Sequence, residues 1–275
     1  AYAAGIDVTA AATSPHFVDA SGGFLTAGLK VGDVVRWTGF SPTTNNSKNF
    51  WITALTATNM TGVFLDGTAV LADAAGDSVT VTVVGKKSKP PLTGHTNNYY
   101  TFEEWYADLV RSEVFGDCKV SQIAVDLPAT GNASISIDLV GLSRSATGAQ
   151  VLTSPAAETI TGIMSSVNGK LYLNGAALTN VSGVQITISN SAASAGAVIG
   201  SNSAPDVSTG RIKVSGQFTA LFDGVTAQAL FDAETAIALA TVVTADETPT
   251  SDFVGFTLGK IKLTGDAPDD GEKSI

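Results

Sequence analysis

The stretch Ser134-Ile135-Ser136-Ile137-Asp138-Leu139 sets Ile135, Ile137 and Leu139 in strict alternation with Ser134, Ser136 and Asp138. Successive side chains of a strand point to opposite faces, so the pattern predicts a β-strand with one buried face and one wet face. The same period recurs around it. Val184, Ile186 and Ile188 alternate with Gln185, Thr187 and Ser189, and Ile212, Val214 and Phe218 are set among Arg211, Lys213 and Gln217. Val120–Leu127 and Phe253–Leu263 read as further strands. Two hairpins are expected: Val120–Leu127 with Ser134–Val140 across Pro128–Asn132, and Lys170–Leu173 with Val184–Ser189. The fold class is mainly β, here an antiparallel sandwich.

Toward the N-terminus lies a seam, Gly85-Lys86-Lys87-Ser88-Lys89-Pro90-Pro91-Leu92-Thr93-Gly94. It is basic, carries two prolines and follows the strand Val79–Val84, which marks an extended linker. Before it, Val34–Trp37, Phe50–Leu55, Val63–Leu65 and Val79–Val84 read as short strands punctuated by Gly, Asn and Pro. That density suits a small barrel or sandwich. The expected organisation is a small β-barrel-like domain over residues 1–85, a linker over 86–94 and a β-sandwich domain over 95–275.

Two segments carry helical signals. Phe102, Trp105, Tyr106, Leu109 and Val110 share one helical face, and Thr101 with Glu104 fits a capping box. Strand and helix both remain open there. Val225–Ala233 reads as a short helix, with Asp223 or Thr226 as its cap, whereas the β-branched residues of Ile237–Val243 favour a strand. Ser189–Gly210 is almost wholly Ser, Ala, Asn and Gly, and reads as a contact arm with Ala197-Val198-Ile199 at its tip.

The charge is unequally shared. Residues 1–92 hold six basic and six acidic groups, while residues 93–275 hold nine basic and nineteen acidic ones, so the net charge of −10 belongs to the second part. Such a body repels nucleic acid, which argues against DNA binding. No run of about 18 apolar residues is present to cross a bilayer as a helix, and Ala1–Gly5 lacks the pattern of a secretory signal. A soluble chain, or a part of a soluble assembly with no membrane partner, is expected.

Catalytic groups are scarce. His16 and His95 are the two histidines, each near a loop, and no G-x-S-x-G elbow supplies a nucleophile for either. Cys118, the single cysteine, reads as a small buried residue, since Asp117 beside it opposes a thiolate. Paired zinc-ligand spacings are missing. Asp266, Asp269, Asp270 and Glu272 offer calcium-like oxygens but lack alternate-residue spacing, and Pro268 interrupts them, so they read as a solvated acidic turn. Glu103, Glu104, Asp108 and Glu113 could suggest paired carboxylates for glycoside hydrolysis; a wet face opposite Phe102, Trp105 and Leu109 is the simpler reading. Asn59-Met60-Thr61 and Asn180-Val181-Ser182 match glycosylation acceptors without a secreted context. No phosphate-binding loop appears. No catalytic, metal-binding or cofactor-binding residue is assigned, and the chain is expected to be no enzyme.

Tyr100-Thr101-Phe102-Glu103-Glu104, followed by Phe115-Gly116-Asp117-Cys118-Lys119-Val120-Ser121-Gln122-Ile123, resembles a stretch of the tail tube proteins of long-tailed bacteriophages. So do Ser134–Gly141, Gly210–Asp223, which is similar to the strand leading into that family's single short helix, and Leu258–Leu263. Phe24–Val35 and Phe50–Leu55 are similar to a small β-domain recurring in phage structural proteins. The resemblance implies an extended segment at Phe102–Val110, a strand before Ala1 and a final strand after Asp270–Ile275. It also implies a structural virion protein of the viral tail, assembled in the bacterial host cytoplasm. Its partners would be copies of itself in stacked hexameric rings and other tail proteins, with phage DNA passing through an acidic lumen during ejection without specific binding. Under that reading Ser189–Gly210 or Gly141–Ser154 reaches the adjacent ring, and the neutral first domain decorates the outside. The competing expectation is a binding module: a tail-tip, capsid-decoration or surface-adhesion protein.

Overall fold

A computed structural model describes residues 2–89, 98–154, 157–196, 198–200, 204–221, 229 and 232–265. Its first part is a closed antiparallel barrel. Six strands, β1 (Tyr2–Ala10), β2 (Phe17–Asp19), β3 (Val34–Thr38), β4 (Phe50–Leu55), β5 (Asn59–Phe64) and β6 (Ser78–Val84), close in the order β1-β2-β5-β4-β3-β6. Closure removes the exposed edges that an open sheet of this size would carry. The interior is aromatic. Phe17 lies 4.6 Å from Trp37 and meets Phe50 edge-on at 4.9 Å, geometries that add to their burial. Strands β1 and β2 escape the sequence pattern because one is rich in Ala and the other is three residues long. Strand β5 starts at Asn59, earlier than the Val63 expected, and runs through Gly62. A Cβ there would stand 2.0 Å from the Trp51 carbonyl oxygen, so the strand requires glycine.

Beyond the barrel run β7 (Tyr100–Tyr106), β8 (Arg111–Pro128), β9 (Ser134–Val140), β10 (Ser143–Thr147), β11 (Lys170–Leu173), β12 (Ala176–Ala177), β13 (Val181–Ser189), β14 (Ala193–Ser194), β15 (Val207–Ser208), β16 (Lys213–Ala220), β17 (Ile237–Thr244) and β18 (Phe253–Ile261). Strand β8 is the spine. Its C-terminal half lies between β9 and β13, and β13 pairs onward with β16, giving the four-strand order β9-β8-β13-β16. Its N-terminal half lies between β7 and β10, forming a three-stranded flap. The two halves meet at Asp117, whose φ of 54° locally breaks the ladder.

A second sheet, β12-β11-β17-β18, covers the first. Val125, Leu127, Val184 and Ile186 from one sheet meet Leu171, Leu239 and Val243 from the other. Alternate residues of β17 turn the opposite way. Ala240 and Val242 join Val34, Trp51 and Leu65 of the barrel in a further apolar cluster, with Tyr172 and Phe253 against it. The chain is thus layered as polar sheet face, first sheet, core, second sheet, junction and barrel. This explains why Ile237–Val243 is apolar without alternation: both of its faces are buried.

Several expectations need correction. Lys170–Leu173 does not pair with Val184–Ser189; β11 pairs with β12 and β17, and β13 with β8 and β16. Phe102–Val110, open between strand and helix, is a strand as far as Tyr106, which pairs with β8, and a turn over 107–110, so the helical alternative with its capping box at Thr101 and Glu104 falls away. The wet-and-dry division fails for β9. Ile135, Ile137 and Leu139 remain 53%, 55% and 38% exposed, because the second sheet does not reach that edge. Val214 on β16 is exposed as well. The hairpin of β8 with β9 is as expected. The helix expected at Val225–Ala233 lies largely outside the described residues; Ala229 and Asp232 are helical, and the Ala233 amide donates to the Ala229 carbonyl. Most of the expected linker, His95 and Asp266–Glu272 also lie outside them.

Candidate functional site

The described histidine and cysteine candidates lie apart from one another, one in the barrel and one on β8. His16 is half-buried and packs edge-on against Phe50 at 6.2 Å; burial lowers its pKa, so it stays neutral. Cys118 is buried on β8, where desolvation, with the Asp117 charge adding to it, pushes the thiol up and makes it a poor nucleophile. Asn59 and Asn180 occupy a strand and a turn bonded to Leu221. No group of three His, Cys, Asp or Glu side chains converges as a metal site among the described residues.

Of the four carboxylates read as a wet face, Glu104 and Asp108 are exposed, whereas Glu103 and Glu113 tie the flap together. Glu103 accepts hydrogen bonds from the Ser112 hydroxyl, from the Val151 amide at 2.7 Å and from the Leu152 amide at 2.6 Å. These donors hold its carboxyl below the usual glutamate range. Glu113 bridges Arg144 at 2.5 Å and Arg111 at 3.0 Å, and Arg144 first among them lowers its pKa. The loop after β10 is therefore fixed at its start, with Val151 and Leu152 presenting exposed side chains.

The Ser189–Gly210 segment is better anchored than its composition suggests. The Lys119 ammonium, buried in β8, donates to the Val207 carbonyl at 2.5 Å and to Asp206 at 3.4 Å. It also lies 4.5 Å from the Tyr99 ring, while the Tyr99 hydroxyl donates to Asp206 at 2.6 Å. The base of the arm is thus pinned to β8, and the tip carries Ile199 at 108% exposure. Ala197 lies outside the described residues. Nothing in the residues around Lys119 marks it as an anchor.

The dominant surface is the four-stranded sheet itself. On its outer face the cross-strand rows are Ser134, Asp126, Gln185 and Gln217; then Ser136, Ala124, Thr187 and Ser215; then Asp138, Gln122, Ser189 and Lys213. Hydroxyls and carboxamides dominate, with two carboxylates against one ammonium. Neither β9 nor β16 has a partner on its outer side among the described residues. Beside β9 a shallow apolar groove of about 480 Å³ is lined by Phe102, Phe115, Cys118, Leu139, Leu142 and Arg144. Large side chains such as Phe102 and Leu139 are partly exposed in it.

Open sheet edges and uncovered apolar side chains among the described residues mark surfaces suited to β-pairing and packing. The family model of phage tail tube proteins matches residues 45–275. The chain belongs to the phage tail tube protein family, a structural component of the virion tail. The match begins inside the barrel, so the family pattern takes in its later strands as well as the sandwich. None of the curated proteins compared with the chain matches it.

Proposed function

We propose that the chain is a tail tube subunit that forms stacked hexameric rings around a channel for phage DNA. The observation that carries this reading is the pair of free edges on one polar-faced sheet. Strands β9, β8, β13 and β16 alternate in direction, so β9 and β16 run oppositely. A head-to-tail neighbour can therefore lay its β16 against β9 and keep antiparallel pairing throughout, and a heterologous contact of this kind closes into a ring.

The polar face then lines the lumen. Within the paired rows Asp126 and Asp138 stand against Lys213 alone, a mild acidic excess, while Arg211 lies just before β16 at the edge of this face. Phosphates are repelled, and the few cationic donors leave DNA little to adhere to. The barrel packs on the side of the sandwich away from this face, which supports an external position for it. We divide the chain accordingly into a barrel domain (1–85), a linker (86–94) and a tube domain (95–275). The arm tip at Ile199, or the loop held by Glu103, reaches the adjacent ring. No enzymatic role is part of this reading. Sedimentation velocity with negative-stain microscopy over a concentration series tests it: rings and stacks are expected, and monomers at every concentration would contradict it.

A further inference from the structure

We propose that the ring contact is a specific charge-and-apolar seam, in which Asp138 of β9 meets Lys213 or Arg211 of a second copy while Ile135 and Ile137 meet that copy's Val214. This rests on the tail-tube reading and names the residues of its interface.

The first argument is charge complementarity. The row Asp138, Gln122, Ser189 and Lys213 crosses the whole sheet, and it ends in a carboxylate at one free edge and an ammonium at the other. Asp138, Arg211 and Lys213 are all exposed. Placing a second copy's β16 beside β9 brings these opposite charges together. A register that continues the subunit's own rows sets Asp138 opposite Lys213. Closing strands into a barrel requires stagger, and the pleat restricts the stagger to even steps. A shift of two residues in one direction sets Asp138 opposite Arg211 instead. A shift of two the other way sets Asp138 opposite Ser215, so the charge match selects the first two registers.

The second argument is the opposite face. The row Ile137, Ile123, Ile188 and Val214 is apolar from edge to edge, and the row above it starts at Ile135. Its two ends are the uncovered ones, with Ile137 at 55% and Val214 at 44% exposure. The same head-to-tail step that joins the charges joins these ends and continues the sandwich core from one copy into the next. Both faces of β9 are matched by both faces of β16, which favours a second copy over an unrelated partner.

The test compares the unmodified chain, Asp138→Lys, the pair Arg211→Asp with Lys213→Asp, and all three together, by sedimentation velocity at constant salt. Circular dichroism and melting temperature check that each variant folds, which the exposure of these side chains predicts. Asp138→Lys is expected to weaken association by about tenfold per interface, and the triple variant to restore it. Ile137→Asp is expected to abolish rings while the monomer melts as before. The proposal is overturned if Asp138→Lys or Ile137→Asp assembles as the parent does, or if the triple variant stays as weak as Asp138→Lys. Monomers from the unmodified chain would overturn the tube reading itself.

Discussion

The Asn49 carboxamide donates to the Ser251 carbonyl at 2.8 Å, joining the barrel to the turn between β17 and β18. Asn49 is buried, its oxygen accepts from the Arg36 guanidinium at 2.8 Å, and its amide donates to Pro249 at 2.7 Å. The polar contacts flank an apolar junction in which Trp51 meets Tyr172 edge-on at 5.2 Å. A tethered ornament would need none of this.

Truncating Asn49 to Ala strands the Ser251 carbonyl and the Arg36 donor in a buried setting. We expect a loss of about 2–3 kcal/mol, read by chemical denaturation. Trp51→Ala removes a fully buried indole and is expected to cost about 3–5 kcal/mol. Both variants should also expose the junction to protease. Unchanged stability in both would show that the barrel is not held by these contacts.

The Asp19 carboxylate should make the barrel acid-sensitive. Burial works to raise its pKa, but donation from the Ser21 hydroxyl and from the Gly23 and Ser21 amides outweighs it, and the pKa lies below the ordinary aspartate value. A depressed carboxylate contributes stability above its unfolded pKa and loses it as pH falls through the folded one. Asp19→Asn should therefore flatten the fall in melting temperature below about pH 4. An identical pH profile for parent and variant would exclude Asp19 as the cause.

Glu103 should govern the loop after β10. Glu103→Ala removes the acceptor for the Val151 and Leu152 amides, so limited proteolysis at residues 148–154 should accelerate. In the parent the pKa is depressed, so the loop stays pinned at neutral pH and is released only as pH falls below the usual glutamate range. Equal cleavage of parent and variant would contradict this.

Cys118 should be inert to thiol reagents in the native chain, since it is buried and its pKa is raised. Denaturant should release one reactive thiol. Rapid labelling under native conditions would mean that β8 opens near Asp117.

Strand β9 shows what could be read from the residues and what could not. Alternation identified Ile135, Ile137 and Leu139 as one apolar face, but it records which face is apolar and not which element covers it. Strand β17 was legible from its β-branched residues, but that both of its faces are covered emerges only from the fold. Pairing was less legible. Lys170–Leu173 was matched to a strand close in sequence, whereas β11 pairs with β17, with Lys170 opposite Val242, and nothing local to either segment encodes that contact. At Phe102–Val110 helical spacing stood against the extended segment that the resemblance implies; pairing with β8 decides for a strand as far as Tyr106, and residues 107–110 turn. Lys119 was invisible because its partners, Tyr99 and Asp206, are brought to it only by the fold.

The most direct measurement is a cryo-electron microscopy map of the assembled particle, resolved enough to trace β8. The account predicts a six-fold ring whose channel is lined by the Asp126, Gln185 and Gln217 face, with β16 of one subunit beside β9 of the next and the barrel outermost. A channel lined by the barrel, or rings in which β9 and β16 remain unpaired, would contradict it.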